Sequence, residues 1–169
     1  MQKSPADGYT LLMMSNTHTV NESLVPKKPF ALMKDFVGIS PVNYSDLLLV
    51  VHPTVPGKNV KELLALATTG SKRSAVMPDV PTVAESGVPG YEGVIWLGVM
   101  APTGTPKAIV DGLNAEIVKV LRNPDVKKAW NEQGAEPLTM SPAEFDKYLR
   151  QDIAKWAKIV KISGASTVR

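Results

Sequence analysis

The hydrophobic positions fall into two kinds of pattern: short apolar runs bounded by turn residues, and longer stretches in which apolar residues recur every three or four positions. Tyr9 to Met14 is a run of the first kind behind the turn pair Asp7-Gly8. It predicts a buried strand ending in the polar cluster Ser15-Asn16-Thr17-His18-Thr19. A short helix from Thr17 to Val25 follows, capped by Ser15 or Asn16 and stopped by Pro26 and Pro29. Phe36 to Ile39 and Leu47 to Val51 predict two more strands, separated by Asn43-Tyr44-Ser45-Asp46, and His52-Pro53 closes the second. From Asn59, Val60 to Ala67 has helical composition, with Asn59 as N-cap and Gly70 as stop. Ser71 to Gly90 carries Pro78, Pro81, Pro89 and two glycines and holds at most a short helix from Thr82 to Ser86, so it reads as a linker or hinge.

Val94 to Met100 is a further apolar run. Thr105 as N-cap with Pro106 at the first helical position then starts a helix whose Ile109, Val110, Leu113, Ile117, Val120 and Leu121 share one face. Asn123-Pro124 repeats the start signal for a helix running to Gly134. Ser141-Pro142-Ala143-Glu144 is a capping box ahead of Phe145, Tyr148, Leu149, Ile153, Trp156, Ile159 and Val160, and Gly164 is the stop. Trp96, Trp130 and Trp156 read as core residues. Apolar strands followed by helices indicate an α/β layer fold. In such sheets ligands sit beyond the carboxyl ends of the strands, which selects the loops Ser15 to Thr19, His52 to Asn59 and Pro102 to Pro106.

Composition narrows the chemistry. The 169 residues contain no cysteine, which excludes a disulfide framework, a thiolate nucleophile and Cys-based metal sites. Nineteen basic and 16 acidic residues are spread along the chain, too thinly for a nucleic-acid footprint. No apolar run approaches the roughly 18 residues of a membrane span. The N-terminus lacks the apolar segment of a secretory signal, which predicts a cytoplasmic protein if Met1 is the true start. His18 and His52 form no ligand-spaced pair, no serine sits in a nucleophile elbow, and neither glycine-rich nucleotide motif occurs. No metal, no cofactor and no catalysis are therefore expected. The cluster Ser15 to Thr19 supports two readings: a helix cap and turn alone, or a neutral donor set at a helix N-terminus that holds a carboxylate or phosphate.

Ala6-Asp7-Gly8-Tyr9-Thr10-Leu11-Leu12, Leu49-Val50-Val51-His52-Pro53, Pro78-Asp79-Val80-Pro81-Thr82-Val83-Ala84-Glu85-Ser86-Gly87 and Ala101-Pro102-Thr103-Gly104-Thr105-Pro106 follow one another along the chain, as do Trp96-Leu97-Gly98 and Gln133-Gly134-Ala135-Glu136-Pro137. In sequence and order these segments resemble the substrate-binding receptors of tripartite tricarboxylate transporters, the Bug receptors. The resemblance implies a periplasmic-binding-protein-like (type II) lobe, a mixed sheet flanked by helices, in a two-lobed clamp that closes on a small carboxylate without chemistry. It implies periplasmic location and delivery to membrane permease subunits. Set against the family pattern, the resemblance implies that the N-terminal βα unit and most of the second lobe are missing from this sequence, the latter between Gly70 and Ser71, either because the sequence is partial or through a real internal deletion. The expected organisation is residues 1–70 as the first part of lobe one, 71–92 as hinge and remnant of lobe two, and 93–169 as the return strand and C-terminal helices packing on lobe one. The segment that aligns with the family's ligand side places Ser15, Asn16, Thr17 and His18 at the cleft. A real internal deletion would expose sheet edge and invite self-association. The alternative to a receptor is a degenerate, non-catalytic α/β interaction protein with no small-molecule ligand.

Overall fold

The computed structural model describes residues 3–50 and 66–165, and the chain divides into two compact units. Unit 1 is Met1–Asn43, Trp96–Asn123 and Leu138–Arg169; unit 2 is Tyr44–Ile95 and Pro124–Pro137. The described elements, in chain order, are β1 (Leu12–Ser15), α1 (Asn16–Leu24), α2 (Leu32–Asp35), β2 (Phe36–Asp46), β3 (Leu48–Leu49) and β4 (Ala67–Thr68). After them come β5 (Val94–Pro102), α3 (Lys107–Leu121), α4 (Pro124–Asn131), β6 (Ala135–Pro137) and α5 (Pro142–Ser163). Four strands lie in the order β1-β5-β2-β6, with β1 antiparallel to β5 and Met14 opposite Gly98. A separate antiparallel pair, β3 with β4, belongs to unit 2.

In unit 1 the sheet is glycine-paved where α5 crosses it. An added Cβ at Gly98 would stand 2.5 Å from Phe145 Cζ, and one at Gly38 would stand 2.9 Å from Phe145 Cδ1. Side chains larger than hydrogen at either position would hold the helix off the sheet. The Phe145 ring is fully buried there, edge-on to Trp96 at 6.0 Å and stacked near Tyr148. Ile39, Val99, Ala101 and Val110 form a second buried cluster, covered by Leu113 and Ile117 of α3. Asn114 pins α3 in place, its amide donating to Ile39 O at 2.8 Å and to Met140 O at 2.9 Å.

The α5 capping box forms as expected: Ser141 accepts from the Glu144 amide, Glu144 accepts from Ser141 N, and Gly164 ends the helix at φ 66°. Elsewhere local pattern and fold part company. Tyr9 is 93% exposed rather than in a strand, because Gly8 turns at φ 87° against Ile109 and Asp7 accepts from Tyr9 N. Phe36 to Asp46 is one strand, not a strand and a polar loop; β6 lies beside it in the sheet, and just past the end of β6 Leu138 N donates to Val42 O. β6 itself went unforeseen, its Pro137 being tolerable at the margin of the strand order. Thr105 does not cap α3: its hydroxyl donates to Pro102 O, and Pro106 holds the cap position without a side-chain bond. Ala67 lies in a strand instead of a helix end, and Thr82 to Ser86 is a turn rather than a helix. Leu48 and Leu49 are exposed, and of the expected run Leu47 to Val51 only these two are strand among the described residues, Val51 lying outside them. Trp96 is buried as expected, whereas Trp130 and Trp156 are only partly so. The loop His52 to Asn59 and the helix from Val60 lie outside the described residues.

Candidate functional site

Of the three loops that fold logic selects, two are described. Pro102 to Pro106 satisfies itself: Thr103 donates through its amide to Asp35 O and through its hydroxyl to Lys34 O, and Thr105 returns to Pro102. This loop is a structural corner between β5 and α3.

The segment after β1 is different. Ser15 is the N-cap of α1 with extended backbone, so the strand turns directly into the helix. The Ser15 hydroxyl accepts from Thr17 N at 3.4 Å, and His18 Nδ1 accepts from Ser15 N at 3.3 Å. This is a capping box with histidine where glutamate usually stands. An accepting Nδ1 is unprotonated, which places the proton of the neutral ring on Nε2. The first turn of α1 has no acidic residue, so nothing there neutralises the positive end of the helix dipole. Thr17 is exposed, while Ser15, Asn16 and His18 are half-buried. The four residues thus stand together on one turn, with the Thr17 hydroxyl and His18 Nε2 not used by the cap.

Thr19, the fifth member of the polar cluster, is fully buried and cannot meet a ligand. Its Oγ1 lies 2.7 Å from Asn16 O and 2.6 Å from Oδ2 of Asp152 on α5. Burial pushes the Asp152 carboxyl above the ordinary aspartate value, against the opposing pull of Thr19, Lys155 and the two indoles of Trp96 and Trp156. Both indole N–H groups are buried, and neither closes a hydrogen bond of good geometry.

Unit 2 holds a second set of polar groups that the sequence pattern did not single out. The Tyr44 hydroxyl donates to Glu136 Oε2 at 2.5 Å, and Lys72 Nζ stands 3.6 Å from the same oxygen. Asp46 Oδ1 is buried without a hydrogen-bond partner. Burial and then the charge of Glu136 raise the Asp46 carboxyl above its ordinary range, with Lys72 pulling the other way. Burial and the Glu136 bond likewise raise the Tyr44 phenol. Asp46 borders an open cavity of about 430 Å³ shared with Leu48, Met77 and Glu132. A cavity edged by carboxylates repels a carboxylate ligand, whereas the α1 turn presents donors and a positive dipole end. The only cue to this cluster in the sequence was the polar stretch Asn43 to Asp46, which resembles a loop.

Among the described residues no helix is long and apolar enough to cross a membrane, and no group of three or more potential ligands is placed to hold a metal. Comparison with known proteins fixes the family. The family model described as "Tripartite tricarboxylate transporter family receptor" matches residues 1–67 and 61–165. A Pseudomonas sp. (strain P51) protein, the UPF0065 protein in the tcbD-tcbE intergenic region, is 38% identical over 101 residues, 59% of this chain and 30% of that protein. Protein BugT of Bordetella pertussis is 27% identical over 241 residues, which takes in 96% of this chain and 74% of BugT. That alignment is longer than the chain, so BugT carries residues with no counterpart here. The structure described as R. palustris Rpa4515 with adipate shares the fold at a TM-score of 0.84, with 23% identity over 98% of this chain and 81% of that one. The chain thus matches less than a third of the length of the first of these relatives, while sharing most of the fold of the third. The family model covers most of the chain and the shared fold agrees with it: the chain belongs to the tripartite tricarboxylate transporter receptor family.

Proposed function

We propose that this chain captures a small carboxylate in the periplasm for the membrane permease of a tripartite tricarboxylate transporter, and that Ser15, Asn16, Thr17 and His18 lie at the ligand. The observation that carries the reading is the first turn of α1, which follows a sheet strand directly, is capped by neutral groups and has no acidic residue. A carboxylate placed there accepts from hydroxyl, amide and ring N–H donors and meets the positive end of the helix. The adipate described with Rpa4515 supports a dicarboxylate of that size as the first probe. We further propose that unit 1 is the counterpart of lobe one of the family clamp. The exposed Leu47, Leu48, Leu49, Val76 and Met77 of unit 2 favour a second reading, in which this unit meets another copy of the chain.

A thermal-shift series with adipate, malate and citrate tests the receptor reading. A ligand selective for the folded state adds about 2.7 kcal/mol at a hundred times Kd. For a chain of this size that raises Tm by about 5–10 °C. No shift with any acid at millimolar concentration, together with a dimer by light scattering, would overturn the receptor reading in favour of the second.

A further inference from the structure

The cavity of unit 2 suits a ligand opposite in charge to the one that the α1 turn suits. It lies wholly within that unit and has a volume of about 430 Å³, inside the range of pockets that take small molecules. Its wall carries the carboxylates of Asp46 and Glu132 and, among the described residues, no cationic side chain. Two acceptors at this wall are unmatched: Asp46 Oδ1 and Thr68 Oγ1 are both buried without a hydrogen-bond partner. Thr68 is 2% exposed, and its backbone is fully used, the amide donating to Pro81 O at 2.8 Å and the carbonyl accepting from Val83 N at 2.9 Å. The hydroxyl is the polar group left over, in contrast to that of the next residue, where Thr69 Oγ1 accepts from Leu47 N at 2.8 Å. Gly70 makes room for the Asp46 carboxyl, since an added Cβ there would lie 2.5 Å from Oδ1.

We propose that this cavity binds a primary ammonium ion carrying a short apolar group, with Asp46, Thr68 and Glu132 taking its N–H donors and Leu48, Val76 and Met77 lying against its apolar part. An ammonium brings three donors, no acceptor and one positive charge, which is what a wall of unmatched acceptors lacks. The neighbouring charge points the same way. Glu136 and Glu92 act on Asp46 as anions, and Lys72, which opposes them, is well exposed and stands 3.6 Å from Glu136, which also takes the Tyr44 hydroxyl. Leu48, Val76 and Met77 are exposed at the cavity and supply the apolar side. A carboxylate would meet two anions here, and among the described residues no group of three or more potential ligands is placed to hold a metal. The site shares no residue with Ser15 to His18 and stands or falls separately from the receptor reading.

Phenethylamine, a cation at neutral pH, is the probe, with phenethyl alcohol and hydrocinnamate as its neutral and anionic twins. The methyl resonance of Met77, assigned with Met77→Leu, is followed by NMR during titration of the full chain. Phenethylamine should displace it saturably, and neither twin should do so at the same concentration. Asp46→Asn should weaken the amine about 10- to 100-fold, the loss of a hydrogen bond to a charged group. Thr68→Val should weaken it about three- to tenfold, the loss of an ordinary one. Lys72→Gln removes a competing cation from an exposed position and should tighten the amine by about two- to fivefold, a gain that a misfolded variant cannot imitate. A Met77 resonance indifferent to millimolar phenethylamine overturns the proposal. So does an equal response to the alcohol, which would mark an apolar cleft without charge selection, or an affinity unchanged in both Asp46→Asn and Lys72→Gln.

Discussion

Replacing Gly98 by alanine tests whether close approach of α5 to the sheet is what holds unit 1 together. The added methyl carbon would lie 2.5 Å from Phe145 Cζ and 3.2–3.3 Å from Cε1 and Cε2, inside any tolerable contact. The ring has little room to retreat. It is fully buried, edge-on to Trp96 and stacked near Tyr148, and an added Cβ at Gly38 would meet its Cδ1 at 2.9 Å. Overpacking of this kind costs about 1–3 kcal/mol. In a chain of this length each kcal/mol lowers Tm by about 2–4 °C. Phe145→Leu removes the atoms that clash, so the double variant Gly98→Ala with Phe145→Leu should be more stable than the sum of the single losses predicts. The coupling expected between residues in contact is about 0.5–3 kcal/mol. Urea unfolding of the four proteins gives all the terms at one temperature, with the slopes confirming that each unfolds alike. Strictly additive losses, or an alanine variant as stable as wild type, would refute the view that Gly98 exists to seat the ring.

Ser15→Ala removes the N-cap acceptor and should cost about 0.5–2 kcal/mol of stability, whereas Thr17→Ala, at an exposed position whose hydroxyl the cap does not use, should cost no more than about 0.5 kcal/mol. Both should weaken adipate binding by calorimetry, and a Thr17→Ala variant with wild-type affinity would remove that residue from the site. In unit 2, the raised Asp46 carboxyl binds more protons folded than unfolded between the ordinary value of 3.8 and its own titration. Its contribution to stability therefore falls as pH rises through that window. Asp46→Asn should gain stability relative to wild type as pH climbs from about 4 and then level off, measured by urea midpoints across pH; a difference that stays flat would show that Asp46 is not charged at a cost.

The parts of the fold that could be read along the chain were those fixed by short-range chemistry. Ser141 with Glu144 and the Gly164 stop delimit α5 from both ends, and the apolar run around Trp96 became the buried strand β5. The Ser15 cap and the short helix behind it were equally legible, although the histidine at the N3 position of the box was not, because the usual signal there is glutamate or glutamine. What failed depended on partners distant in sequence. Asn43 to Asp46 looks like a loop until β6 lies beside it, and no local property of Ala135-Glu136-Pro137 announces a strand. Thr105 had the right residue type for a cap but found Pro102 O nearer. The contact of Asp152 with Thr19 was invisible for the same reason: the two sit 133 positions apart and meet only through the packing of α5 on α1.

The two polar clusters also differ in what they could bind, and the difference follows from charge rather than shape. Asp46 and Glu136 are acceptors in short supply of donors; the exposed Lys72 is a cation that acts on both, at a separation of 3.6 Å from Glu136 that contributes little against water. The α1 turn is the converse: hydroxyl, amide and ring donors with no acidic residue in the first turn. A site of neutral donors recognises a carboxylate by the directions of its hydrogen bonds, and directional bonds are lost by small displacements that a charge-charge attraction would tolerate. Affinity at such a turn therefore depends on how firmly the backbone of Ser15 to His18 is held. That backbone is fixed by the capping box on one side and, on the other, by the buried Thr19 hydroxyl, which bridges Asn16 O and the Asp152 carboxyl of α5.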